Sequence, residues 1–467
     1  MSILMGGVEG GGDRGIEMKN GQETYNVKLG IHEWKCYPEY KDSGVKWIGI
    51  IPKEWYAKPL KQVTEFVSRG NGPDYVDQSS IQVINQACIH WDGLNFENLK
   101  YQRETNVSEW KGLLQKGDLL INSTGTGTLG RASILDHDGT FIADGHVTIV
   151  RPVENSISTN YLFYLIQTPI YQGFIYSALV SGSTNQIELS REGLRTTSVI
   201  VPSFTEQKLI GVFLDRETSK IDTLIQKKQR FIELLEEKRS ALISRAVTKG
   251  LDPYVKVRDS GVEWIGEIPE NWEIKPFRRV CSVNQGLQIA QSERFYEPED
   301  TRLEYITIKS IHNRNSTKEY IENPPKSVIC HPNDVLLART GATGEVITDQ
   351  EGVFHNNFFL IKYDLKKVYR DFLVYYLKNK SIKSYILLLA GTTTIPDLNH
   401  SEFLGTPFLS PPFPEQQFIV NFLDRETEKI DTLINKISAQ IEKLKEYRTA
   451  LISAAVTGKI DVREEVA

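Results

Sequence analysis

The segment GTGTLG, beginning at Gly125, has the spacing of a phosphate-cradling glycine loop. In such a loop backbone N–H groups meet an anion, a lysine reaches the terminal phosphates and a hydroxyl holds magnesium. Read on as GTGTLGRA, the segment puts Arg131 where the lysine belongs and Ala132 where the hydroxyl belongs, and the parallel stretch from Gly341 loses the spacing. A turn that lets a backbone approach something closely is the better reading. NPPK from Asn323 matches in part an N-P-P-aromatic pattern in which asparagine holds an amino group, but Lys326 fills the aromatic slot and a plain PP turn accounts for it. The eight histidines show no HxH or HExxH spacing, and Cys36, Cys88, Cys281 and Cys330 are scattered without pairing, so neither a metal site nor a disulfide framework is expected. No GxSxG occurs, and no catalytic residue is assigned to the chain.

What remains is a population of loop residues suited to hydrogen-bonding bases and phosphates, and it falls into two sets. The first is Arg69, Asn71, Asn85, Gln86, Thr124, Thr126, Arg131, Ser183, Thr184 and Asn185. The second is Gln285, Gln288, Thr307, Lys309, Arg339, Thr340, Thr343, Thr392 and Thr393. Arginine and lysine match guanine edges and phosphates, asparagine and glutamine match adenine, and hydroxyls suit either. Each taken singly is also an ordinary turn residue. Their occurrence at equivalent places with different chemistry is what favours a function.

The elements that must carry these loops are written twice. DSGVKWIGIIPKEW from Asp42 returns as DSGVEWIGEIPENW from Asp259, an offset of 217. VPSFTEQKLIGVFLDRET from Val201 returns as SPPFPEQQFIVNFLDRET from Ser410, and RSALISRAVT from Arg239 as RTALISAAVT from Arg448, both at an offset of 209. The ends of the unit are fixed and its middle varies. Inside it, β-branched runs alternate with Gly, Asn, Asp and Ser, as in half-buried strands joined by tight loops. KGDLLINSTGTGTLGRASIL parallels PNDVLLARTGATGEVIT, and SGSTNQIELSREGL parallels AGTTTIPDLNHSEFL. NYLFYLIQ and YRDFLVYYLKN read as equivalent helices. Each middle is thus expected to be a compact α+β domain of about 150 residues.

A long helix follows each middle, opened by Pro202 with Ser203 or Thr205 as N-cap and Glu206 in its first turn, and by Pro411, Pro414 and Glu415 in the second copy. Apolar residues recur three and four apart at Ile221, Leu224, Ile225, Phe231, Ile232, Leu235 and Leu242, and at Ile430, Leu433, Ile434, Ile437, Ile441, Leu444 and Leu451. A break near Asp215–Thr218 would be compatible with DRET as a second cap; without one the helix extends some 60 Å. Such a stripe needs a partner, and the two helices are expected to pair antiparallel; the alternative is that each packs on its own domain. Lys228 stands where the repeat has Ile437, a departure suited to fixing register.

The formal charge of −5 weighs against a generic polyanion binder. Residues 1–39 are Gly-rich and are expected to form a disordered leader; neither a signal peptide nor an apolar run long enough to span a bilayer is present, and a reducing cytoplasmic setting fits.

Taken together, the words YKDSGVKWIGIIPKEW and VRDSGVEWIGEIPENW, the GSTN and GTTT turns, PSFTEQ and PPFPEQ, and FLDRETxKIDTLI followed by ALISxAVT resemble the specificity subunits of type I restriction-modification systems, over nearly everything from Tyr40 to Ile460. The resemblance implies an α+β fold with two pseudo-symmetric α/β target recognition domains, 40–202 and 251–411, separated by two long helices, 203–250 and 412–460, pairing as an antiparallel coiled coil, with 461–467 as a tail. It further implies that each domain reads half of a split double-stranded DNA site and that the helices set the gap. The subunit itself would be inactive. It would dock two modification subunits that use S-adenosylmethionine, and restriction subunits that use ATP and magnesium. A self-sufficient DNA methyltransferase or nuclease, or a coiled-coil adaptor that does not bind DNA, are the competing readings.

Overall fold

The repeated word DSGV closes a hairpin. Tyr40–Asp42 pairs antiparallel with Ile50–Pro52, and Val257–Asp259 with Glu267–Pro269. The Asp42 carboxylate accepts from Gly44 N at 2.8 Å and Ser43 Oγ from Val45 N at 3.1 Å, and Asp259 and Ser260 repeat both bonds. Such side chains mimic a backbone turn. The tryptophan that follows stacks on a helix of its own domain, Trp47 on Phe174 at 4.2 Å and Trp264 on Tyr385 at 4.8 Å.

The computed structural model describes residues 14–19, 22–29, 32–108, 110–181, 187–313, 315–391 and 396–465. The chain divides into two units, 1–227 with 439–467, and 228–438. In the first unit one sheet has the order Ala132–Ile134, Leu119–Asn122, Val147–Pro152, Thr64–Arg69, all antiparallel. A second runs Thr140–Ala143, Ile81–Ile84, Lys100–Gln102, Tyr75–Val76, with its first pair parallel. The second unit repeats the plan. Its antiparallel sheet is Val346–Ile347, Val335–Ala338, Phe358–Tyr363, Cys281–Gln285, and its mixed sheet again holds a parallel pair, Arg302–Ile306 beside Gly352–Phe354. Two short helices follow each antiparallel sheet, Thr159–Gln167 with Pro169–Phe174 and Arg370–Lys378 with Lys380–Leu389.

The long helices are Phe204–Lys249 and Phe413–Val456, both continuous. The break considered near Asp215–Thr218 is absent, because the DRET side chains are spent on other bonds. Thr218 Oγ1 donates to Leu214 O within the helix, and Asp215 accepts from Tyr164 Oη at 2.8 Å; Thr427, Asp424 and Tyr375 repeat this. The EQ at each helix start is also explained. Gln207, fully buried, accepts from Ser158 N at 2.7 Å and donates to Pro202 O; Gln416 accepts from Tyr369 N at 2.8 Å and donates to Pro411 O. These words therefore dock each domain onto its helix.

Within each unit the helices pair antiparallel. In the first, Asp222 meets Arg448 at 2.9 Å while Arg216, earlier in the chain, reaches Glu465 O beyond the end of the second helix. In the second unit Arg239 meets Asp431, and Ala246 and Val247 share a core with Ile419, Val420 and Leu423. The seam steps alternately by four and three through Leu214, Thr218, Ile221, Ile225, Lys228, Ile232, Leu235, Arg239, Leu242 and Ala246, the heptad period of a coiled coil. Ile221, Ile225, Leu235, Ile430, Ile437, Ile441 and Leu451 are buried as expected, and Leu242 and Leu444 are partly so. Leu224, Phe231 and Leu433 are corrected: they stand 43%, 50% and 44% exposed, one residue short of the true seam positions Ile225, Ile232 and Ile434. Adjacent helical residues do not share a face.

The expectation of a disordered leader is also corrected, over its described residues. Arg14–Lys19, Gln22–Leu29 and His32–Lys35 form a three-stranded antiparallel sheet. It is anchored where Trp34 meets Phe213 edge-on at 5.3 Å, His32 lies against Tyr447, and Asp461 N donates to Lys35 O.

Candidate nucleic-acid interface

In each domain a glycine without room for a side chain brings two turns together. A Cβ on Gly70 would lie 2.0 Å from Ala143 O, and one on Gly286 would lie 2.2 Å from Phe354 O. The chain can therefore cross itself only at glycine. This crossing sets the turn after Thr140–Ala143 beside the loop that follows Leu119–Asn122, where Thr124 Oγ1 donates to Gln86 Oε1 (3.2 Å) and lies 3.0 Å from His146 Nδ1. Asn122 Nδ2 donates to Gln86 O at 3.1 Å, so Gln86, Thr124 and His146 share one polar rim. Arg131 opens the strand returning from this loop and lines a concavity of about 450 Å³ together with Trp91 and Asp92 of a neighbouring hairpin. Thr126 is exposed on the same loop.

Other candidates of the first domain build the scaffold. Arg69 is paired with Glu188 and donates to Leu189 O at 2.7 Å. Asn71 Oδ1 accepts from Gly112 N at 2.8 Å. Asn85, buried, caps the turn Gln86–Cys88 by accepting from Ala87 N and donates to Asn98 O. Ser183, Thr184 and Asn185 lie outside the described residues, as do Thr392 and Thr393 of the second domain.

The second domain divides similarly. Arg339 donates to Asp397 at 2.8 Å and to Leu398 O, and lies over the Phe359 ring. Thr343, buried, donates to Arg339 O and Pro396 O, and Thr340 bridges to Asp397. Thr307 caps the helix Ile308–His312, its hydroxyl accepting from Ser310 N at 3.1 Å, and Gln285 donates to Asn356 O. Gln288 and Lys309 are exposed, Gln288 accepting from Asn356 Nδ2 at 2.9 Å. Sequence reading missed His146, Trp91 and Asp92 in the first domain, and His312, Glu345 and Asn356 in the second. Only the turn composition around them was visible.

Burial shapes the charge of both rims. Asp144 and His355 follow equivalent strands at the glycine crossing, where Asn71 bridges to Asp144 and Leu287 to His355. Burial pushes the Asp144 carboxyl up, against the opposing effect of bonds and charge from His146; burial, with Arg294 adding to it, holds His355 below its ordinary value. Among the described residues no group of three or more His, Cys, Asp or Glu is placed to hold a metal, and no helix is long and apolar enough to cross a membrane. The arrangement offers donors and acceptors on an open rim, which is the equipment for reading an edge.

Comparison with known proteins agrees with this geometry. The family model described as the type I restriction modification DNA specificity domain matches residues 52–234 and again 269–443. The type I restriction enzyme MjaIX specificity subunit of Methanocaldococcus jannaschii is 24% identical over 448 residues, covering 91% of this chain and 97% of that protein. In fold, the chain resembles a subunit from a structure of type I R-M complex assembly and conformational transition, at a TM-score of 0.66 and 16% identity over 88% of this chain and 99% of that one. It also resembles the HsdS subunit of Thermoanaerobacter tengcongensis, at a TM-score of 0.53 and 14% identity, covering 88% and 98%.

Proposed function

This chain belongs to the type I restriction modification DNA specificity family, and from that premise we propose that it reads a split, asymmetric double-stranded DNA site on behalf of a type I restriction-modification complex. The observation that carries the reading is the duplication itself: the family match occurs twice, the residues that dock each domain to its helix are the same in both copies, and the rims differ. Docking residues must fit equivalent partners, whereas two readers of unlike half-sites must present unlike groups.

In this reading each domain enters the major groove of one half-site with its rim, Gln86, Thr124 and Arg131 in the first copy and Gln288 and Lys309 in the second, and the paired helices act as the spacer. The chain performs no catalysis of its own. Two modification subunits bring S-adenosylmethionine and methylate adenine, and restriction subunits bring ATP and magnesium. All of this takes place in the cytoplasm. A chain of net charge −5 is compatible with the role if those partners supply much of the phosphate neutralisation. Sequencing of methylated bases in host DNA, with the chain present and deleted, tests the proposal: a bipartite motif that vanishes on deletion is expected, and an unchanged methylation pattern would refute it.

A further inference from the structure

The two domains hold opposite charges at one position of the fold. In the first, Asn122 N donates to Arg131 O and Gly130 N to Asn122 O, each at 2.8 Å; in the second, Ala338 N donates to Glu345 O and Gly344 N to Ala338 O, again at 2.8 Å. Gly130 and Gly344 share a φ of 81°. Both residues thus open the strand that returns beside the central one, Ala132–Ile134 and Val346–Ile347. The connecting loops differ in length, which hides the correspondence in the sequence.

The two side chains are tied into the scaffold to different degrees. Arg131 is half-buried in its concavity beside Trp91 and Asp92, and among the described residues no carboxylate lies within ion-pair distance of its guanidinium. Glu345 is met by His312 Nε2, from the short helix Ile308–His312, on both carboxylate oxygens, at 3.0 and 2.9 Å. A carboxylate has about four acceptor sites, so one imidazole leaves others open. A position that gripped the phosphate backbone would be cationic in both copies, since a carboxylate is repelled there. Base edges are the ligand that accommodates both signs: a guanidinium offers only donors, matching guanine O6 and N7, and a carboxylate offers only acceptors, matching the cytosine amino group.

We propose that Arg131 and Glu345 are equivalent specificity-determining residues of opposite polarity, Arg131 selecting a guanine in one half-site and Glu345 a cytosine in the other. This rests on the DNA-reading role proposed above. The test places Arg131→Gln and Glu345→Gln separately in the full-length chain at its native locus, beside its own partner subunits, and reads the methylated motif by sequencing. Arg131→Gln is expected to admit adenine at one formerly guanine position, lowering the guanine preference roughly 10- to 100-fold; Glu345→Gln relaxes one cytosine position in the opposite half, and the spacer stays the same in both. An unchanged motif in both variants, changes in the same half, or loss of every site from a chain of unaltered melting temperature would overturn the assignment. Absence of any chain-dependent bipartite motif in the unmutated host is a separate result, in which the DNA-reading role itself fails and takes the assignment with it.

Discussion

Single residues decide whether a rim exists at all. Gly70 and Gly286 are the points where the chain crosses itself, and alanine at either would press a methyl group into a carbonyl oxygen 2.0 or 2.2 Å away. Gly70→Ala and Gly286→Ala are each expected to cost about 3 kcal/mol or more, read by urea unfolding, whereas Gly72→Ala, with open space around it, should be nearly silent. His355 makes a second prediction. Burial, then Arg294, holds its folded value below the ordinary one, so folding favours the neutral imidazole. Below the unfolded value of about 6.5 the unfolded chain binds more protons, so stability rises with pH in that window. The contribution is fully present above about 6.5 and is lost as pH falls toward the folded value. Urea midpoints of the chain should drop on acidification through this range, and His355→Asn should flatten that part of the profile.

Among the elements, the long helices serve as both seam and dock. Tyr164 and Tyr375 donate to Asp215 and Asp424 at 2.8 and 2.7 Å, so removing either hydroxyl by mutation to Phe should cost roughly 1 to 2 kcal/mol. The more buried Tyr164 should show the larger loss in a denaturant titration. The helix-to-helix pairs behave differently. Arg239 and Asp431 are each nearly half exposed, so breaking their pair should cost no more than about 1 kcal/mol. Reversing Arg239 alone sets like charges opposite one another and should lower the melting temperature; reversing both residues should restore it. A double reversal as unstable as the single would show that the ion pair has no part in setting register.

For the whole molecule, function depends on what the chain lacks as much as on what it holds. With a net charge of −5, the isolated chain neutralises few phosphates, and counterion release then supplies little affinity. Gel shifts are expected to show weak binding by the chain alone and tight binding to the bipartite site only when modification subunits are added. Equal affinity without them would contradict the division of labour proposed above.

The duplication, the order of domains and helices, and most of the helix seam were legible in the sequence, because repetition and the alternation of three- and four-residue steps are local codes that need no coordinates. The one-residue misplacement of Leu224, Phe231 and Leu433 shows the limit of that code: neighbouring apolar residues compete for a face, and only packing chooses between Leu224 and Ile225. The rims were less legible. Arg69 and Thr343 looked as available as Thr124, yet Arg69 is tied to Leu189 and Thr343 to Pro396, residues far along the chain. Whether a polar side chain is free depends on which distant group the fold brings beside it, and so the tertiary structure alone separated scaffold from rim and aligned Arg131 with Glu345 through the backbone bonds they share.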